Sequence, residues 1–118
     1  MADVMSSILD TIKQMLGPDA QDSSFDVDLI IDINSAISGL TQLGIGPQTG
    51  FEIGDNTAKW SDLLNGDKRF GFAKTYVYLK TKLIFDPPQN AAVIESIKEQ
   101  IKEMEWRLCN ASDINPIT

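Results

Sequence analysis

The chain contains no histidine and a single cysteine, Cys109, among its 118 residues. Without histidine it lacks the side chain that most readily gains and loses a proton near neutral pH, and a metal site would have to be assembled from carboxylates and one thiol. Cys109 closes no internal disulfide, and with no histidine to activate it the thiol reads as a small buried or edge group rather than a nucleophile. No apolar run approaches the roughly 20 residues of a membrane span, and none at the N-terminus resembles a signal peptide. Synthesis in a reducing cytoplasm is the default expectation, with no membrane partner. Positive charge is also scarce. Ten basic against 17 acidic side chains give a formal charge of -7, a field that repels polyanions and disfavours sequence-independent DNA binding.

What the chain does have is helical periodicity. Its length fits one domain spanning 1-118, able to bury roughly two thirds of the surface of the unfolded chain. Met5, Ile8, Leu9, Ile12, Met15 and Leu16 recur at steps of three and four, which predicts a helix from about Asp3 to Leu16, stopped by Gly17-Pro18. After a polar connection over residues 18-24, a second helix is expected to start behind a Ser23 or Ser24 cap, with Phe25, Leu29, Ile33, Ala36, Ile37 and Leu40 on its inner face. Gly44-Ile45 fits a left-handed C-cap followed by an apolar residue. Gly39 lies inside that helix at a cost of about 1 kcal/mol relative to Ala, either to admit close approach of another backbone or as a tolerated surface glycine.

Residues 46-56 read as a loop around Phe51-Glu52-Ile53, long enough to suggest a binding or inter-subunit role as an alternative to a plain connection. A short helix carrying Trp60, Leu63 and Leu64 follows and ends near Gly66. A long helix is then predicted from about Lys68 to Phe85, with Phe72, Tyr76, Leu79 and Leu83 as its central stripe and Ala73, Val77 and Ile84 beside it. Tyr78 and Phe85 project to another side, and a helix apolar on more than one side is usually central or shared between molecules. Asp86-Pro87-Pro88 ends it, Asn90 is the expected cap of the last helix, and Ile94, Ile97, Ile101, Met104 and Leu108 form a narrow seam. Glu95, Lys98, Glu99, Lys102 and Glu103 lie opposite as a solvated face that also carries Trp106. From Asn110 to Thr118 periodicity is lost, and a flexible tail is expected there. The fold class is therefore mostly α: a small bundle of four main helices plus one short helix, with a long loop and a mobile C-terminal tail.

Sites for chemistry are few. Asp26, Asp28 and Asp32 are the best acidic cluster, but carboxylate metal pairs draw ligands from several helices with histidines beside them, and the positive end of a helix explains acids in a first turn. Asp55-Asn56-Thr57 lacks the ligand series of a calcium loop, and the glycines from Gly44 to Gly54 lack a Gly-Lys-Ser/Thr ending. No catalytic residue, cofactor site or metal site is assigned. Lys68, Arg69, Lys74, Lys80 and Lys82 gather around Phe70, Phe72, Tyr76 and Tyr78. Nucleic-acid stacking is conceivable there, but helical spacing sends most of these rings inward, and the cations could instead meet an acidic neighbour. Tyr78, Trp106 and Arg107 are types that often anchor protein interfaces, with local packing as the ordinary alternative.

Several of these features together resemble a known family. A lysine- and aromatic-rich helix, the Phe85-Asp86-Pro87-Pro88 corner and a closing helix with Met104-Glu105-Trp106-Arg107-Leu108 look like the small head-to-tail connector proteins of tailed bacteriophages. Upstream, Ile8-Leu9 with Ile12-Lys13 and Leu16-Gly17 is similar to the first helix of that family. Leu29 through Gly44-Ile45 is similar to its second helix, and Trp60-Ser61-Asp62-Leu63-Leu64 to the segment before its long helix. The resemblance implies a structural virion protein at the head-to-tail junction. It implies partners too: the portal protein of a filled head, a stopper or tail-completion protein, and further copies of itself in a ring, usually twelvefold, through which genomic DNA passes without sequence-specific binding. A negative surface that does not stick to DNA suits such a channel. In that family the C-terminal portion tends to engage the portal, which directs attention to Trp106, Arg107 and the segment containing Ile114. A ring needs heterologous contacts, and Tyr78 with Phe85 on one side and the loop with Phe51 and Ile53 on the other are its expected halves. Two other readings fit the residues: a helical regulatory or adaptor module binding one protein partner without a ring, and an enzyme using Asp26, Asp28 and Asp32 with a divalent ion.

Overall fold

A computed structural model describes residues 7–47, 49–64 and 72–114, with positions 108–114 described as backbone. Five α-helices build it: α1 (Ile8–Leu16), α2 (Asp26–Gln42), α3 (Trp60–Leu64), α4 (Phe72–Phe85) and α5 (Ala91–Ile114). Among the described residues there is no strand, only an isolated antiparallel bridge between Ser7 and Lys59.

The start of α1 differs from the expected one near Asp3. Ser7 is extended, bridges Lys59, and caps the helix by accepting the Asp10 N–H at 3.2 Å. The expected positions 3–6 lie outside the described residues. Ile8, Leu9 and Ile12 are buried, whereas Met15 at the helix end is exposed. Gly17 stops α1 at φ 102°, a left-handed angle that suits glycine.

The entry to α2 also differs. The cap is Asp22, not Ser23 or Ser24: its carboxylate accepts the Ser24 N–H at 2.9 Å and opens a 3₁₀ turn, Ser23–Phe25, that runs directly into α2. That bond holds the Asp22 carboxyl below its ordinary pKa of 3.8. Phe25, expected on the inner face, is 40% exposed because the tighter turn rotates it out of the α2 stripe. The rest of the stripe, Leu29, Ile33, Ala36, Ile37 and Leu40, is fully buried. At the other end Gly44 takes φ 89°, and the Ile45 N–H returns to the Leu40 carbonyl at 3.0 Å, placing the Ile45 side chain in the core.

Helix α4 is the centre of the molecule. It packs on α2 and α1 along one side and on α5 along another, which accounts for its broad apolar surface. Ala73, Tyr76, Val77 and Leu79 are buried, while Phe72 and Ile84, at its two ends, are exposed. The opening of this helix from Lys68 and the expected end of α3 near Gly66 lie outside the described residues.

Tyr76 explains Gly39. A methyl group added at Gly39 would sit 2.8 Å from the Tyr76 hydroxyl, so the glycine admits the phenol where α2 and α4 cross. The close neighbour is thus a side chain rather than a backbone. That hydroxyl donates to Glu105 on α5 at 2.9 Å, and burial, then the Glu105 carboxylate, push its pKa well above the ordinary 10.0. Gly39→Ala should therefore lose stability despite an intrinsic helix gain of about 1 kcal/mol. In a Tyr76→Phe background the same change should become neutral or favourable. Equal effects in both backgrounds, measured by urea unfolding, would rule out the contact.

Asn90 caps α5, its Oδ1 accepting the N–H groups of Ala92 at 2.7 Å and Val93 at 3.3 Å. Ile97 and Ile101 are buried against α4, with Ile94 and Met104 half-buried beside them. The backbone helix continues through Ile114, into the stretch where periodicity is lost. Loss of amphipathic period does not end a helix, and from Asn110 to Ile114 there is neither glycine nor proline to do so.

Candidate functional site

Three surface features stand out once the helices are packed. The first forms where α2 begins and α4 ends. The two helices run antiparallel, which brings Phe25 and Phe85 edge to face with ring centroids 5.6 Å apart. Around this pair opens a cleft of about 470 Å³. Ile31 and Ile84 supply its remaining apolar wall, and Asp28, Asp32 and Asp86 supply three carboxylates. Burial, and then the neighbouring Asp28 charge, raise the Asp32 carboxyl above its ordinary 3.8. Asp86 has Lys82 3.9 Å away. Asp26, the third member of the acidic cluster seen in the sequence, turns aside to the Lys13 ammonium at 2.8 Å. Among the described residues no three ligand-type side chains are arranged to hold a metal ion.

The second feature is the loop laid across α2. Asn34 binds the Ile53 backbone from both sides, its Oδ1 accepting the Ile53 N–H at 2.7 Å and its Nδ2 donating to the Ile53 carbonyl at 3.0 Å. A side-chain amide here stands in for a strand partner. The Ile53 side chain is 4% exposed and belongs to the core, so its contribution to any surface is to fix the loop. Phe51, two residues away, is half-buried and lines a groove of about 400 Å³ with Ser38, Thr41 and Thr49.

The third feature is the outer face of α5. Glu95–Lys98, Glu99–Lys102 and Glu103–Arg107 pair along it, the last at 2.8 Å. Exposed pairs of this kind contribute about 0.3–0.5 kcal/mol each. The Arg107 guanidinium also lies 5.7 Å from the centre of the Phe72 ring, tying the far part of α5 to the start of α4. Trp106 beside it is 68% exposed.

The residues selected from sequence thus fall in different places. Phe85 lies in the acidic cleft, Phe51 and Ile53 in the pinned loop, and Trp106 and Arg107 on the α5 face. Tyr78 is half-buried and packed against the core, away from the cleft lining. Ile114 is the last residue of α5. Sequence reading missed the grouping of Phe25, Ile31 and Asp86 with Phe85. A usable signal was present: Val27 and Ile31, four apart and both on the outward face of α2, are apolar where solvent-facing residues are expected.

The family model for phage connector protein matches residues 8–115. The chain belongs to that family. The match runs from the first turn of α1 to just past the end of α5, so every helix of the fold lies inside it. A phage connector has a structural role in the virion, associated with head and tail proteins, and is not an enzyme class. No curated protein and no solved structure matches the chain. No helix among the described residues of this connector is long and apolar enough to cross a membrane.

Proposed function

We propose that this connector is a head-to-tail adaptor. It binds the portal vertex of a filled head and assembles there as a ring, twelvefold in the virion, that continues the DNA channel. The opposite surface of the ring receives a stopper or tail-completion protein. It is made in the host cytoplasm and joins the head after packaging. The observation that carries this reading is the family match across the whole helical bundle. Its surface agrees with such a role: among the described residues, apolar side chains remain exposed at Phe25, Val27, Ile31, Phe72, Ile84, Val93 and Trp106.

Within the ring, Phe85 with Tyr78 forms one side of the subunit contact, and the loop carrying Phe51 and Ile53 lies on the side that meets the next copy. Trp106, Arg107 and the end of α5 at Ile114 face the portal. The channel needs no base-reading groups, and a chain of charge -7 leaves moving DNA unbound.

The test is the native mass of the chain mixed with isolated portal rings of the same virus. A discrete complex carrying many copies of the chain, absent from either component alone, is expected. Tyr78→Asp with Phe85→Asp should cut the number of bound copies at least tenfold. A stable small oligomer that ignores the portal would reject the adaptor assignment, whereas full assembly by the double variant would reject only the assigned subunit contact.

A further inference from the structure

Among the described residues the acidic cleft lacks a matching cation. Asp28 and Asp32 have no ion-pair partner among the described residues, and Asp86 has only Lys82 at the long distance of 3.9 Å. The walls are aromatic and aliphatic. Such a site fits a short segment that carries positive charge and an aromatic ring together, because the ring fills the apolar wall while the cations meet carboxylates in a partly desolvated setting. Lys59-Trp60 and Trp106-Arg107 each join one cation to a ring, and one segment joins two. Lys68-Arg69-Phe70 places two adjacent cations before an aromatic residue, in a chain with only ten basic residues.

We infer that Lys68-Arg69-Phe70 of one copy docks in the cleft lined by Phe25, Asp28, Asp32 and Phe85 of a neighbouring copy. Reach along α4 excludes the same copy. Thirteen residue steps separate Phe72 from Phe85, which at helical rise is about 20 Å. The chain from Phe70 to Phe72 spans about 7 Å even when extended. Phe70 therefore cannot reach the Phe85 ring of its own chain. The donor end is also the correct one for a head-to-tail contact. The segment leaves from Leu64, whose neighbour Leu63 lies against Gly46 at the start of the loop, and it enters α4 at Phe72, the end of the α2–α4 pair opposite the cleft. A surface at one end that accepts a different surface at the other is the heterologous geometry that closes into rings. Net repulsion between copies of charge -7 does not prevent it, since at physiological salt charges beyond about 8 Å are screened while the contacting pairs are not.

This inference rests on the ring part of the adaptor reading but is tested apart from the portal. Two full-length variants are made: one with Lys68→Asp and Arg69→Asp, which keeps the cleft, and one with Asp28→Lys and Asp32→Lys, which keeps the basic segment. Self-association is followed by sedimentation up to about 1 mM, the range of a single small contact. The unaltered chain is expected to associate beyond a dimer. Each variant alone should associate at least tenfold more weakly. An equimolar mixture should recover association beyond a dimer, because the unaltered segment and cleft still pair and the two charge-reversed surfaces complement each other. Asp28→Asn with Asp32→Asn repeats the cleft test without reversing charge near the start of a helix, with circular dichroism confirming the fold. A chain that stays monomeric throughout, or variants that associate like the unaltered chain, overturns this contact. Binding to the portal ring would still stand or fall by its own measurement.

Discussion

Replacing Trp60 by alanine is expected to remove about 3–5 kcal/mol of folding stability, the range for truncating a fully buried large aromatic residue. For a domain of this size that is a large share of the roughly 5–15 kcal/mol available. Trp60 is 4% exposed in the first turn of α3 and joins three parts of the chain. Its indole Nε1 donates to the Thr11 hydroxyl on α1 at 3.2 Å, and that hydroxyl donates in turn to the Ser7 carbonyl at 2.6 Å. The Lys74 ammonium of α4 lies 5.8 Å from the ring centre. Beside it, the Ile8 N–H donates to the Ala58 carbonyl at 3.0 Å, so the start of α1 is fastened to the segment that leads into α3. Alanine would leave a cavity beneath α1 and withdraw one partner of a buried hydroxyl. Trp60→Phe keeps most of the buried ring and drops the donor, so its cost should be smaller, about 1–2 kcal/mol. Guanidinium unfolding of the three proteins checks both. A loss under about 1 kcal/mol for alanine would mean that the site collapses onto the missing ring and that Trp60 is not the fastening point.

How far the fold could be read from residues depends on the kind of contact involved. The inner face of α2 and the α5 seam were legible because a helix buries every third or fourth residue, and Leu29 to Leu40 and Ile97 with Ile101 follow that rule. Caps were legible where one side chain is suited to the position, as at Asn90, and misplaced where several candidates adjoin, as at Asp22, Ser23 and Ser24. The spacing of Phe25 and Phe72 extends the stripe and predicts core positions, but at a helix end the neighbouring element has already passed, and both rings are exposed. Val27 and Ile31 mark an apolar patch on α2, but the cleft as a grouping was not legible. It needs Phe25 and Phe85, sixty positions apart, to meet, and that meeting follows from the antiparallel packing of α2 on α4 rather than from any local pattern. The family resemblance had support from end to end in the residues of all five helices, yet it carried no side-chain geometry.

The pin between Asn34 and Ile53 is of the same illegible kind, a polar contact nineteen positions apart with no periodicity to announce it. Asn34→Leu should cost about 2 kcal/mol, since it leaves a partly buried N–H and carbonyl without partners while adding apolar bulk at the crossing. Its more specific effect is local. With both backbone bonds gone, the Ile53 side chain alone holds the loop, and segments with few anchoring contacts open at low free energy. Amide exchange at Ile53 is therefore expected to accelerate at least tenfold, while exchange in the middle of α2 and α4 accelerates only by the global loss of stability. Asn34→Asp keeps the acceptor for the Ile53 N–H and loses the donor to its carbonyl, so it should fall between the two. If Ile53 exchange is unchanged in Asn34→Leu, the loop is held by its apolar side chain and the amide is incidental. If it accelerates as expected and portal-bound assembly falls with it at a temperature where the helices remain folded, the adaptor depends on a loop fixed in advance. In the proposed ring, each copy would then present Phe51 to its neighbour without first having to order the segment, which would lower the entropic cost of adding each subunit.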